Sequence, residues 1–337
     1  MKYKKVFFTA SPSFYKTRLF NGIAESIPIY AFFGERGKDR NDDFYKGEIN
    51  CDHDFWPHRS LPRFFKFFKF WISNQYNELV LSGWDNPEGW FAAFLSRKKK
   101  NSCLVESSIY ESHTSGLRAL FKKLYLKRIS KVYASGSTQE QLVRSLGFKG
   151  PVIKFGGCGI LNYVPQPPLE ERKQVSSFLY VGRLVPVKNL KLVIESFNER
   201  PHLTLNIAGF GEQEAELKSI AGPNIKFLGA IDNKSLPDFY RSNDVFVLAS
   251  YVEPWGLVVE EALNNGCPVI VSNHVGCKDD LVTVNTGIVF DCYDKTSLLK
   301  AIDSITEISF YNRLRLGVSK LDFNIRARKQ IESFVKE

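Results

Sequence analysis

The segment EPWGLVVEE places two carboxylates, Glu253 and Glu261, eight positions apart around an apolar middle. A carboxylate accepts two hydrogen bonds in a fixed fork, which suits sugar hydroxyls and vicinal diols. Glu253 falls in the loop after the apolar run DVFVLAS and reaches a group at the mouth of a site. Glu261 falls about one and a half turns down the helix that follows, four residues after Leu257, and holds a diol deeper in. Gly256 lets the chain turn sharply and opens that helix over 257–265, whose N-terminus attracts an anion. Glu260 reads as a solvated neighbour and is left out of the site. A second group lies in YVGRLVPVKNL, where Arg183 and Lys188 stand between a strand end and a helix opening near Asn189. Two cations beside a helix N-terminus form an anion site; the alternative is two solvated surface cations. In NIAGFGEQ, Gly209 and Gly211 end a strand and let a ligand approach the backbone. The third glycine of a dinucleotide fingerprint is missing, so a nicotinamide cofactor is not indicated.

These residues need a frame that gathers loops at one edge. The second half supplies it: SFLYVGRL, LTLNIAGFG, IKFLGAI, DVFVLAS and PVIVSN read as strands, with NLKLVIESFNE, EQEAELKSIA, NKSLPDFYRSN and GLVVEEALNNG as the helices between them. Strands alternating with helices mean βαβ units, and their continuous apolar runs mean a parallel sheet covered on both faces. The first half is similar: KKVFFTA, SIPIYAFFG, ELVLSGW, NSCLVESS, KVYASG and GPVIKFGG read as strands, and WFAAFLSRKK and GLRALFKKLYLKRIS as helices. Three prolines within NYVPQPPLEERKQVSS cannot continue a helix or a central strand, so the interdomain linker lies at 162–177. The expected fold class is α/β: two Rossmann-like, doubly wound parallel-sheet domains facing a cleft. Residues 1–165 form the acceptor domain and 166–311 the donor domain, and a C-terminal helix over about 312–337 packs back on the first.

The chain has 337 residues and a net charge of +10. Residues 1–165 carry 26 Lys and Arg against 14 Asp and Glu, and residues 166–337 carry 20 against 22. The basic half attracts nucleic acid, anionic lipid or a pyrophosphate-bearing substrate. The six cysteines are scattered, without a C-x-x-C pair or a zinc pattern, and read as reduced core thiols. The apolar stretch near the N-terminus is too short for a signal-peptide core and reads as a first strand. No apolar run approaches the ~20 residues that span a bilayer. Asp52–Asp54 form a D-x-D pattern, weighed as a cation site and set aside because it stands in the half without the other motifs. Residues 61–72, LPRFFKFFKFWI, read as an amphipathic helix, either packed in the core or lying on anionic membrane, with SRKKKNS and FKKLYLKR extending the basic patch.

The ordered set YVGRLVPVKNL, LNIAGFGE, IKFLGAI and RSNDVFVLASYVEPWGLVVEEALNNGCPVIVSN resembles the donor-binding domain of retaining family-4 glycosyltransferases of the GT-B fold, over roughly 178–290. The resemblance implies that Arg183 and Lys188 bind the donor diphosphate, that Glu253 contacts the transferred sugar and Glu261 the nucleotide ribose, and that Gly256, Leu257 and Val258 offer backbone N–H groups to phosphate. FLGAI would lie near the nucleobase. It further implies a UDP- or GDP-sugar donor, no metal or cofactor, retention of anomeric configuration, and domain closure over the reactants. Glu253, Arg183 and Lys188 are the catalytic candidates. The first half departs from the family, with TASPSFYKTRLFNG where many members have a glycine-rich loop. Glu106, Ser108 and His113 are the acceptor-side candidates, or else surface and capping residues. The acceptor is expected to be a glycan or a polyprenyl- or lipid-linked hydroxyl in bacterial surface polysaccharide or lipopolysaccharide synthesis. The enzyme is expected in the cytoplasm or peripherally on the inner face of the plasma membrane. Rival readings are a GT-B epimerase or phosphorylase and, from another class, a basic nucleic-acid-binding protein.

Overall fold

Short apolar runs become parallel strands, and the amphipathic segments between them become the helices that cover both faces. The computed structural model describes residues 2–9, 11–34, 45, 47–55, 68, 75–85, 87–157, 159–160 and 163–336. It divides into two units, Met1–Leu161 with Asn324–Glu337, and Asn162–Phe323.

In the first unit the order is β1 (Tyr3–Thr9), α1 (Phe14–Ala24), β2 (Ile29–Phe33), β3 (Asp52–Phe55), β4 (Tyr76–Ser82), α2 (Pro87–Leu95), β5 (Asn101–Val105), α3 (Gly116–Leu126), β6 (Lys131–Ala134), α4 (Ser137–Ser145) and β7 (Val152–Lys154). The sheet runs β3-β2-β1-β4-β5-β6-β7 and is parallel throughout. One face buries Val6, Leu79, Leu81, Tyr125 and Leu142, and the other buries Phe7, Phe20, Ile23 and Tyr133. The D-x-D pattern forms β3, an outer strand missed by the sequence reading because its residues are polar and partly exposed. Successive side chains of a strand alternate, so Asp52 and Asp54 share one face. There they accept hydrogen bonds from Tyr3 Oη (2.6 Å) and Tyr30 Oη (2.7 Å). No metal-binding cluster occurs among the described residues. Of the aromatic stretch 61–72, only Phe68 belongs to the described residues.

The second unit continues with β8 (Ser177–Val181), α5 (Leu190–Asn198), β9 (Thr204–Ala208), α6 (Glu214–Ile220), β10 (Ile225–Gly229), α7 (Leu236–Arg241), β11 (Val245–Leu248), α8 (Leu257–Asn264), β12 (Val269–Ser272), α9 (Lys278–Leu281), β13 (Gly287–Phe290), α10 (Lys295–Ile305) and α11 (Ile308–Val318). Its sheet order is β10-β9-β8-β11-β12-β13, also parallel. That order reverses direction between β8 and β11, the switch point where loops diverge and leave a crevice. Residues 163–176 carry no helix or strand, as the prolines require, but they are tied to this unit. Gln166 donates to the carbonyls of Leu263, Val318 and Leu321, at 3.1–3.3 Å.

The C-terminal return begins later than residue 312. Helix α11 stays in the second unit, where Tyr311, Leu314 and Val318 are buried and Tyr311 Oη donates to Asp244 O at 3.0 Å. The final helix α12 (Phe323–Val335) is the returning element. Phe334 is fully buried in the first unit, with its ring stacked 4.3 Å from Tyr133. No helix among the described residues is long and apolar enough to cross a membrane.

Candidate active site

Both sequence motifs converge on the switch point of the second sheet. The loop leaving β8 carries Arg183 and Lys188, and the loop leaving β11 carries Glu253. Two contacts tie them together: Tyr251 N donates to Val187 O at 2.9 Å, and Lys188 Nζ forms an ion pair with Glu253 Oε2. Both side chains of that pair are about 15% exposed or less, so the charges are largely withdrawn from water while one edge stays open. Arg183 is exposed, and its guanidinium has no hydrogen bond or ion pair among the described residues. Its carbonyl accepts from the buried Tyr180 Oη at 2.8 Å, which fixes the turn. Burial raises the Tyr180 phenol far above its ordinary value; the charge of Glu253 adds to that and the charge of Arg183 opposes it.

The backbone beneath these side chains is tightly specified. Asn189 holds the left-handed conformation at φ 55° just after Lys188, and its Nδ2 donates to Cys292 O at 3.0 Å. A non-glycine residue in this region persists only when its surroundings fix it. A Cβ on Gly209 would lie 1.8 Å from Gly182 O, so the loops after β8 and β9 pack backbone against backbone there. Gly209 is therefore required by the neighbouring loop as well as being a candidate for ligand approach.

Glu253 is held from behind by the loop after β12. Its N–H donates to His274 O at 3.3 Å, and its carbonyl accepts from Gly276 N at 2.8 Å. His274 Nδ1 donates to Tyr251 O at 2.9 Å. Gly256 takes φ 102°, which turns the chain into α8. The N–H groups of Leu257 and Val258 thus belong to the first turn, whose donors have no acceptor within the helix.

Glu261 lies one turn further on and accepts from Tyr240 Oη at 3.0 Å. Burial pushes its carboxyl up to about 7, while the tyrosine hydrogen bond opposes the rise. Glu260 is only 2% exposed, which corrects its reading as a solvated neighbour. It points inward near Cys277, whose thiol is raised far above its ordinary value by burial and then by the charges of Glu260 and Glu253. Two successive helix positions diverge by about 100°, so both carboxylates of a Glu-Glu pair need not share one environment.

On the first unit, Glu106 leaves β5 at the carboxyl edge of the sheet and pairs with the buried Lys16 at 2.8 Å. Ser108 Oγ and Ser13 Oγ, both buried, have no hydrogen-bond partner among the described residues. His113 is exposed, 3.0 Å from Arg118, and lines a cavity of about 450 Å³ with Trp84, Asp85 and Lys122. Glu106 and His113 therefore occupy neighbouring but separate places. The sequence reading missed Tyr180, Asn189, Tyr240, His274, Gly276 and Lys16. Asn189 was the most accessible of these, since it precedes a helix and follows the second cation.

The profile of the family described as glycosyl transferases group 1 matches residues 166–317. That range is nearly all of the second unit. The second unit is thus similar to group 1 glycosyltransferases over nearly its whole length. Mannosylfructose-phosphate synthase of Agrobacterium fabrum is 30% identical over 205 residues, which is 55% of this chain and 40% of that one. The lipopolysaccharide core biosynthesis glycosyltransferase LpsE of Rhizobium meliloti is 27% identical over 48% of this chain and 50% of its own. The chain thus spans half or less of these curated relatives. Among solved structures, HepE of Anabaena in complex with UDP covers 98% of this chain and 99% of its own, with a TM-score of 0.73 and 17% identity. Sucrose-phosphate synthase of Thermosynechococcus elongatus gives 0.71 and 19%, with 98% of each chain covered. These likenesses show that the chain has the GT-B fold.

Proposed function

We propose that the protein transfers a sugar, with retention, from a nucleoside diphosphate sugar to a hydroxyl of a glycan or lipid-linked acceptor in bacterial surface polysaccharide or lipopolysaccharide synthesis. The observation that carries this reading is the convergence of Arg183, Lys188, Glu253 and the α8 N-terminus at one sheet switch point, with Glu261 behind them. The structures of HepE in complex with UDP and with UDP-glucose, and the likeness to the lipopolysaccharide core glycosyltransferase LpsE, support it.

The chemistry follows from the side chains. As the bond between the anomeric carbon and the diphosphate oxygen breaks, negative charge grows on the leaving group. Fixed cations and N–H dipoles lower that barrier because they are already oriented. Arg183, Lys188 and the N–H groups of Gly256, Leu257 and Val258 supply them without a metal. An ammonium has three N–H donors, so Lys188 can keep one on Glu253 and turn others to phosphate. Glu253 then faces the sugar, and Glu261 takes the ribose diol. The acceptor oxygen forms its bond to the anomeric carbon on the face the diphosphate leaves, and its proton passes to a diphosphate oxygen. The first unit presents the acceptor, with Glu106, Ser108 and His113 as the residues to test.

A thermal-shift panel of nucleoside diphosphates, with and without EDTA, tests the donor site. One nucleotide at about 100 times its Kd adds about 2.7 kcal/mol of stability. No shift from any member of the panel would sink the reading. Product analysis with donor alone separates transfer from epimerisation, which needs no acceptor.

A further inference from the structure

An amphipathic helix normally turns its apolar stripe to the core and its charges to water. Helix α3 departs from that rule. Leu117, Leu120, Phe121 and Leu124 repeat at the spacing of one helical face, and they are 44–76% exposed. Ala119, Tyr125 and Leu126 face inward instead. Helix α2 adds Phe91, Phe94 and Leu95, at 43–58% exposure. The two stripes are joined by Trp90, which stacks on Phe94 at 5.9 Å and meets Phe121 edge-on at 6.4 Å. Soluble proteins rarely leave so many large apolar side chains together on a surface unless something covers them.

Charge identifies what covers them. Arg118 and Lys122 flank one side of the α3 stripe, and Lys123 and Lys127 flank the other. No acidic residue occurs between Glu88 and Glu106 or between Glu111 and Glu140. Where α2 and α3 end, a groove of about 750 Å³ is collared by Lys98, Lys99, Lys123, Lys127 and Lys149 over an apolar floor, with no carboxylate in its lining. A second copy docked by a two-fold axis would set these lysines against each other, at a cost from like-charge repulsion. An anionic bilayer satisfies both features: acyl chains receive the leucines and phenylalanines, and phosphates receive the cations.

We infer that the outer faces of α2 and α3 form a peripheral docking surface for anionic lipid. This surface is independent of residues 61–72. It adjoins the His113 cavity, because Trp90, Phe121 and Lys122 line that cavity too. Docking would bring the cavity to the headgroup layer, within reach of an acceptor carried on a lipid.

Flotation of the full chain with phosphatidylcholine vesicles, alone or with about 30% phosphatidylglycerol, tests the surface without any activity assay. The wild type floats with the anionic vesicles, and about 0.5 M salt weakens it strongly because exposed charges are screened. Lys123→Gln with Lys127→Gln removes two surface cations and cuts partition roughly 30-fold. Leu117→Gln with Leu120→Gln and Leu124→Gln, which keeps helix propensity, cuts it at least ~10-fold. Circular dichroism melting checks that each variant stays folded. Absence of flotation by the wild type, or variants that float like the wild type, overturns the proposal. A concentration-dependent dimer abolished by the leucine variant would overturn it in favour of a second copy.

Discussion

Lys188 and Glu253 share one ion pair, yet the proposed transfer asks different things of them. Removing the amine leaves Glu253 largely buried without its cation and leaves the departing diphosphate with one positive charge fewer. Lys188→Ala should lower kcat by at least ~10² in a donor-turnover assay, with the fold intact by circular dichroism. A variant turning over at the wild-type rate would remove Lys188 from the mechanism. Glu261 gives a pH signature. Burial holds its folded carboxyl at about 7 against an ordinary 4.5. Between those values the unfolded chain has released the proton and the folded chain has kept it, so stability falls as pH rises from about 4.5 to 7 and levels above. Ribose hydroxyls donate best to the ionised form, so nucleotide binding should tighten as pH rises through about 7 and should release a proton. Calorimetry in buffers of different ionisation heats reads that proton. Glu261→Gln should flatten both profiles.

At the scale of elements, the strand ends and the loops behind them decide the site. Gly276 lies in the loop after β12, where an added Cβ would stand 1.8 Å from Pro254 O. Gly276→Ala should cost at least ~2 kcal/mol, read as a lower melting temperature, and should weaken nucleotide binding because Glu253 is anchored on that loop. Near-normal stability and affinity would show that the loop gives way. The strands of the second unit and the meeting of Lys188 with Glu253 were legible because the strands are continuous apolar runs and these charged residues stand at strand ends. Gly276 was not legible, since its role depends on a carbonyl 22 residues away in sequence. Glu260 misled because a carboxylate reads as solvated until the fold buries it, here near Cys277. β3 escaped because half of it is aspartate, stabilised by tyrosines from other strands. On the first unit, the ion pair of Lys16 with Glu106 joins residues 90 positions apart, and no local pattern announces it.

For the whole molecule, α12 matters beyond its length. Phe334 completes the core face that also holds Phe7, Phe20 and Phe155. Phe334→Ala should cost the first unit ~3–5 kcal/mol and leave the second unchanged. Hydrogen exchange resolved by peptide distinguishes the two: faster exchange across β1, β6 and β7, with β8 to β13 unaffected, is the expected result. Equal loss in both units would contradict the division at 161/162 and 323/324. The second unit is thus an insertion within the first, and its chain is contiguous. During synthesis residues 162–323 emerge as one contiguous stretch, whereas the core of the first unit lacks Phe334 until α12 is made. At about 5–20 residues per second that wait lasts roughly 10–35 s, with phenylalanines of the first sheet uncovered. Loss of α12 would therefore injure the first unit, whose strands precede the second unit in the chain, and a nascent chain in that interval is a natural client for a chaperone.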